Sequence, residues 1–130
     1  MKYFWVNQGK TYRQESEGGF LWAPKESKTG RTMWHWVSMK EISKGDLVFC
    51  YVDGRIIAFG IATQEAITSK KPESIANNNT WEQKGWLVKM KYHRLNNPIF
   101  IEKILDEIGK YLPEKYSPTI RNIKEVMKYI

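Results

Sequence analysis

Short runs of β-branched, aromatic and aliphatic residues alternate with polar and glycine-containing segments along the first two thirds of the chain. Runs of this length that end in glycine, proline, asparagine or aspartate are typical of β-strands. The pattern therefore predicts strands at residues 2–7, 20–24, 47–52, 55–63 and 86–92. Residues 10–17 are polar and charged, and the segment 69–83 is too polar for a core element and long enough to be a functional loop.

The strongest local signal is a hairpin between the third and fourth predicted strands. Asp53-Gly54 separates two apolar runs, and this dipeptide favours a tight two-residue turn. Both faces of the first run are apolar, because Leu47 and Phe49 alternate with Val48 and Cys50. A strand of this kind predicts a sheet that is covered on both sides or curled into a barrel.

Helix signals are confined to the middle and the end of the chain. Residues 38–41 (SMKE) fit a capping box and predict a short helix. Asn97-Pro98 predicts the start of a helix that runs to about Tyr111, and Ser117-Pro118 predicts a second helix that closes the chain. Strands first and helices last indicate the α+β class, in a single domain over residues 1–130.

Composition and cysteine usage narrow the class of protein. The chain has 130 residues, 42% hydrophobic and 27% charged, as in a folded globular domain. No secretory signal and no apolar run long enough for a membrane span is evident, so no membrane partner is expected. The lone Cys50 lies in an apolar strand pattern, which suits a buried thiol and a reducing compartment. We therefore expect a cytoplasmic protein.

Charge points to a polyanionic partner. Lys and Arg number 21 against 14 acidic residues, for a net charge of +7. A positive protein attracts nucleic acid over long distances and gains affinity when counterions are released.

Catalytic and metal-binding motifs are not found in the sequence. His35 and His93 have no metal-binding context, and one cysteine cannot supply the usual zinc ligand sets. Phosphate-binding glycine loops and the GxSxG nucleophile motif are not found either. We therefore expect a protein that is not an enzyme and that uses no cofactor or metal.

Six tryptophans are the most unusual feature of the composition. Trp5 and Trp86 lie in the middle of predicted strands, where a core role is favoured. Trp22 and Trp81 lie at the end of a strand and in a polar loop, where a flat indole face suits a planar ligand. For Trp34 and Trp36 a structural role and a ligand role are equally consistent with the pattern.

Several of these blocks together resemble the EVE domains, which belong with YTH and ASCH domains to the PUA-like superfamily. The matching blocks are Phe4-Trp5-Val6-Asn7-Gln8, Gly19-Phe20-Leu21-Trp22-Ala23-Pro24, Met39 to Asp46, Val48-Phe49-Cys50-Tyr51 and Ile57-Ala58-Phe59-Gly60-Ile61-Ala62. The tail from Leu112 to Pro118 is also similar to segments of McrBC-type, modification-dependent restriction proteins. The resemblance implies a nearly closed, twisted β-barrel of about five or six strands that is flanked by helices, and the two predicted C-terminal helices fit this arrangement.

The same resemblance implies a pocket that receives a flipped, modified base. It assigns the pocket to residues at the ends of three strands and in one loop, namely Asn7, Gln8, Trp22, Ala23, Pro24, Tyr51, Asp53 and Trp81. Basic residues that neighbour these segments are candidates for phosphate contacts, namely Lys10, Arg13, Lys25, Lys28, Arg31, Lys70 and Lys71.

Three functions follow as hypotheses. The first is recognition of a methylated base in DNA, linked to restriction or defence and served by a nuclease or NTPase effector subunit. The second is RNA binding, because a PUA-like pocket also accepts a ribonucleotide. The third is a protein-interaction module in which exposed tryptophans anchor a partner.

Overall fold

The computed structural model describes residues 2–9, 11–25, 38–74 and 84–100. Within these residues the chain is mostly β-sheet, with one α-helix and one short 3-10 helix. The strands are β1 (Tyr3–Asn7), β2 (Phe20–Pro24), β3 (Leu47–Val52), β4 (Arg55–Ala62), β5 (Ile67–Lys70) and β6 (Lys84–Phe100). Helix α1 spans Tyr12–Gly18, and the 3-10 helix spans Ser38–Glu41.

The strands form one curled sheet that makes a half-barrel. Their order is β1-β3-β4-β6-β2, and β5 also pairs with β6. β1 runs parallel to β3, and the other pairs are antiparallel. β4 and β5 follow each other along β6, because β4 pairs with residues 90–100 and β5 with residues 84–87.

The predicted hairpin is confirmed. β3 and β4 pair antiparallel and are joined by Asp53 and Gly54, whose φ angles are +50° and +80°. Two successive positive φ angles are those of the tight turn that matches the twist of a hairpin. The register shifts between Cys50 and Tyr51, because Cys50 pairs with Ala58 and Tyr51 with Ile56, which leaves Ile57 of β4 as the extra residue.

Both faces of β3 are buried, as the sequence predicts. On one face Leu47 and Phe49 pack with Trp5, while on the other Val48 packs with Phe4 and Leu21. Each face of β3 therefore contributes to a separate apolar cluster.

The predicted helix start at Asn97-Pro98 is wrong, because both residues lie in β6. Ile99 pairs with Ile56, and the next pair toward the start of β6 is Arg94 with Ala58, so the register shifts between these pairs. Pro98 falls in this irregular stretch, where the missing N–H breaks no ladder hydrogen bond. Pairing with β4 therefore overrides the local cap signal, while residues 101–130, with the two predicted C-terminal helices, lie outside the described residues.

Helix α1 was not predicted from the sequence. It occupies most of the polar segment 10–17 and ends at Gly18, and the φ of +71° at Gly19 gives the left-handed cap that favours glycine. Neither it nor any other helix among the described residues has the length and apolar character that a membrane span requires.

Candidate functional site

The residues at the end of β1 meet the end of β3. Asn7 pairs with Tyr51, and the backbone N–H of Gln8 donates to the Tyr51 carbonyl at 2.9 Å. Asn7 is exposed, and its Oδ1 accepts a hydrogen bond from the Gly9 N–H at 3.1 Å. The parallel pairing therefore brings Asn7, Gln8 and Tyr51 together, with Asp53 exposed in the turn that follows.

Tyr51 is half-buried and is held by an aromatic neighbour. Its ring centroid lies 5.2 Å from that of Trp5, with the two planes tilted by 34°. Trp5 itself is buried, so its predicted core role is confirmed.

Gln8 lies inside the half-barrel rather than at its surface, with 1% of the residue exposed. Its Nε2 donates to Tyr92 Oη at 3.0 Å, and Tyr92 Oη donates to the Phe20 carbonyl at 2.7 Å. Its Oε1 is buried and has no hydrogen-bond partner. A buried amide oxygen without a partner is uncommon, and it leaves one acceptor at this position.

Glu15 is the buried centre of this polar cluster. Its Oε1 accepts from Thr11 Oγ1 at 2.5 Å, and its Oε2 accepts from the Trp22 backbone N–H at 2.8 Å. Burial raises the pKa of the Glu15 carboxyl to about 7, although hydrogen bonds from Thr11, Trp22 and Gln8 lower it in part. The carboxyl group thus joins α1 to the backbone of Trp22 in the middle of β2.

The same buried environment raises the pKa values of two neighbouring groups, the Cys50 thiol and the Tyr92 hydroxyl. Burial raises the pKa of the Cys50 thiol well above its usual range, and the nearby Glu15 raises it further. Burial also raises the pKa of the Tyr92 hydroxyl, again with a contribution from Glu15. Both groups are therefore neutral near neutral pH, and Cys50 is not an activated nucleophile.

The Trp22 indole is covered in this structure, with 3% of the residue exposed. It packs with Phe20 and against Leu87, and its Nε1 lies 3.4 Å from the Ser69 carbonyl as donor. The six-membered part of the ring lies directly over Gly85, where an added Cβ would come within 2.5 Å of it. Contact of a base with this ring would require the side chains that cover it to move.

The remaining pocket candidates have different positions. Ala23 and Pro24 are buried in β2 opposite Trp86 and Gly85. Trp81 lies outside the described residues, as do Trp34 and Trp36. The structure therefore brings Gln8 and the backbone of Trp22 together around Glu15, with the Trp22 ring packed on Phe20 and Leu87, while the part assigned to Trp81 stays a prediction.

The basic candidates fall into two groups. Arg13 lies on α1 and pairs with Glu17 at 3.3 Å. Lys25 follows β2 directly, Lys70 ends β5 and Lys71 follows it. Lys10, Lys28 and Arg31 lie outside the described residues.

Three residues of this region were not predicted. Glu15 and Tyr92 build the buried cluster, and Lys84 pairs directly with Lys70. The Gly18-Gly19 pair is the one sequence signal for α1, and hence for Glu15, because glycine favours the end of a helix. Over the part of the chain described, no three His, Cys, Asp or Glu side chains are grouped closely enough to hold a metal ion.

Comparison with solved structures finds the same fold at low sequence identity. The YTH domain of the Zygosaccharomyces rouxii MRB1 protein, solved in complex with N6-methyladenosine RNA, aligns with a TM-score of 0.53 and 10% identity, covering 98% of this chain and 84% of that one. A hypothetical protein from Leishmania major aligns with a TM-score of 0.53 and 10% identity, covering 98% and 93%. Rpa0253 from Rhodopseudomonas palustris aligns with a TM-score of 0.51 and 16% identity, covering 99% and 92%.

The sequence matches no protein-family model and no curated protein. The resemblance to EVE domains and to restriction proteins therefore stays a prediction. The structural matches show the fold alone, which this chain shares with the YTH domain of the MRB1 protein.

Proposed function

We propose that this protein is a non-catalytic nucleic-acid-binding module that recognises a methylated base. The observation that carries the proposal is the buried polar cluster of Gln8, Glu15 and the Trp22 backbone, in a fold shared with a YTH domain that was solved with N6-methyladenosine RNA. Gln8 supplies an amide with an unpartnered oxygen, and Trp22, whose backbone is held by Glu15 of the same cluster, supplies an aromatic ring that packs with Phe20 and Leu87. These are the two kinds of group that a base pocket requires.

The energetics of base recognition suit these residues. Extruding a base from a stacked strand costs a few kcal/mol, and stacking on an aromatic side chain returns about 1 to 3 kcal/mol. A buried methyl group adds only about 0.8 kcal/mol, so selectivity also needs a polar group that the unmodified base leaves unsatisfied. The unpartnered Gln8 Oε1 is suited to accept a hydrogen bond from the base. Because Trp22 is covered, binding is expected to follow or to cause an opening of this region.

DNA and RNA are the two candidate substrates. Similarity of the tail to restriction proteins favours modified DNA, together with a nuclease or NTPase effector subunit as partner. The YTH neighbour, solved with N6-methyladenosine RNA, favours modified RNA. Competition between DNA and RNA strands of one sequence separates them, because only a contact to the 2′-hydroxyl distinguishes the two.

The protein-interaction hypothesis receives less support from the described tryptophans. Trp5 and Trp22 are buried, and Trp86 is half-buried beneath the ammonium group of Lys25. Within the described ranges, no tryptophan is therefore exposed as an anchor for a partner.

The direct test is a titration with short oligonucleotides that carry methylated adenine, methylated cytosine or no modification. We expect one modified base to bind at least about tenfold more tightly, which corresponds to about 1.4 kcal/mol. Equal affinity for all of them at low salt would contradict the proposal.

Substitution of the pocket residue gives the matched control. Trp22→Ala is expected to abolish the preference for the modified base, and Trp22→Phe is expected to keep part of it because an aromatic ring remains. Lys70→Ala is expected to weaken binding to every oligonucleotide alike. Since Trp22 is part of a buried cluster, circular dichroism must first show that each variant is folded.

A further inference from the structure

Three lysines lie side by side across one end of the sheet. Lys70 of β5 pairs directly with Lys84 of β6, and the Lys25 N–H donates to the Lys84 carbonyl at 3.2 Å on the other side. Neighbouring strands are about 4.8 Å apart, so the three Cα atoms span only about 10 Å. We call Lys25, Lys84 and Lys70 the lysine row.

The lysine row faces the same way as Trp86. Residues two apart on a strand share a face, which places Lys84 with Trp86 and Lys70 with Thr68. The Lys25 side chain lies on this face as well, since its ammonium group is 4.0 Å from the Trp86 ring centroid and donates to Thr68 Oγ1 at 2.6 Å. Lys25 is therefore held in place before any ligand arrives, which lowers the entropic cost of binding.

Among the residues that the structure describes, no carboxylate pairs with the lysine row. Like charges directly opposite each other on paired strands destabilise the pairing, as for Lys70 and Lys84. A bound anion that bridges such side chains would reverse this repulsion.

We propose that the lysine row binds consecutive phosphates of one nucleic-acid strand. This inference rests on the proposed function, and it adds Lys84 and the direction in which the backbone crosses the sheet, from β2 over β6 to β5. A single small anion would need only two of the lysines. A line of three cations across adjacent strands, beside an aromatic ring, instead suits the repeating charge of a sugar-phosphate backbone. Contacts of this kind carry no information about the base.

The dependence of affinity on salt tests the lysine row. The affinities of a single-stranded oligonucleotide with N6-methyladenine and of its unmodified counterpart are measured at several salt concentrations. Each phosphate that the protein neutralises contributes about 0.7 to the slope of log K against log salt for a single strand. The double variant Lys70→Gln/Lys84→Gln is therefore expected to reduce the slope by about 1.4, for both oligonucleotides equally.

The control is a second double variant with the same loss of charge. Lys44→Gln/Lys91→Gln changes two exposed lysines, one in the turn before β3 and one that pairs with Ile61 on the part of β6 away from the lysine row. For this control variant, the slope of log K against log salt is expected to stay close to that of the protein without substitutions. If the Lys70→Gln/Lys84→Gln variant has the same slope as the control variant, the lysine row is an ordinary solvated surface and this inference is wrong.

The same measurements separate this inference from the proposed function. A changed slope with equal affinity for the two oligonucleotides would support the lysine row and contradict recognition of N6-methyladenine. A retained preference for the modified strand with an unchanged slope would support recognition and overturn the lysine row.

Discussion

Glu15 shows how one residue can link the stability of the fold to the candidate site. Its carboxyl group is buried beside Cys50, Tyr92 and Gln8, and it accepts hydrogen bonds from Thr11 and from the backbone of Trp22. The folded protein therefore binds a proton at Glu15 more tightly than the unfolded chain, with a pKa of about 7 instead of 4.5. A group with a raised folded pKa stabilises the fold fully below the unfolded value and loses that contribution as the pH rises through the folded value.

Glu15→Gln is expected to remove this pH dependence. The glutamine amide can accept from Trp22 N–H and donate to Thr11 Oγ1, so it resembles the protonated carboxyl without titrating. Between pH 4.5 and about 7 the unmodified protein should lose stability with rising pH, by at most about 1.4 kcal/mol per pH unit, and the variant should lose less. Urea unfolding at a series of pH values measures both curves. Parallel curves would show that Glu15 does not titrate in this window.

At the scale of elements, the sequence predicts the apolar strands well and the polar elements poorly. β2 and β3 have the predicted bounds, because Pro24 and Asp53-Gly54 mark their ends. α1 has Glu15 as its buried residue and so shows no apolar stripe, and β5 is mostly exposed. β6 continues through Pro98 because β4 pairs with it on both sides of a register shift, which no local pattern reveals.

For the candidate site, too, the sequence predicts the part that lies on apolar strands and not the part that depends on polar elements. The positions of Asn7 and Gln8 at the end of β1 and of Trp22 within β2 could be predicted from the strands, but the burial of Gln8 and Trp22 could not. That burial depends on α1 and β6, since Glu15 of α1 accepts a hydrogen bond from the Trp22 backbone and Tyr92 of β6 accepts one from Gln8. The lysine row likewise depends on the pairing of β5, a strand without an apolar signal.

Gly85 shows how closely β2 and β6 depend on one missing side chain. A Cβ at this position would meet the Ala23 carbonyl oxygen and would lie 2.5 Å from the Trp22 ring. Gly85→Ala is therefore expected to destabilise the fold by about 1 to 3 kcal/mol, as overpacking does in other cores. Thermal or urea unfolding measures the change.

Gly9→Ala is the matched control for this substitution. Its added Cβ would meet only Asn7 Oδ1, at an ordinary contact distance of 3.5 Å. If Gly9→Ala and Gly85→Ala change stability equally, the loss comes from the backbone effect of replacing glycine and not from the contact with Trp22.

At the scale of the whole molecule, β6 connects the two parts of the sheet. It pairs with β2 and β5 near its start and with β4 along the rest of its length. β4 in turn pairs with β3, and β3 with β1. Because a single strand contributes to both ends of the half-barrel, neither end can lose β6 without exposing the core of the other. We therefore expect the described sheet to unfold as one cooperative unit.

Cys50 is a natural probe of that cooperativity. It is fully buried in β3, and the raised pKa of its thiol keeps the nucleophilic thiolate scarce, so a thiol reagent should reach it only after the sheet opens. The free energy of opening from labelling rates should then agree, within about 1 kcal/mol, with the global free energy from tryptophan fluorescence in urea. Labelling of the urea-unfolded chain provides the intrinsic rate. A labelling free energy several kcal/mol below the global value would mean that β3 separates from β1 and β4 while β6 still holds β2, so the half-barrel would consist of two independent units.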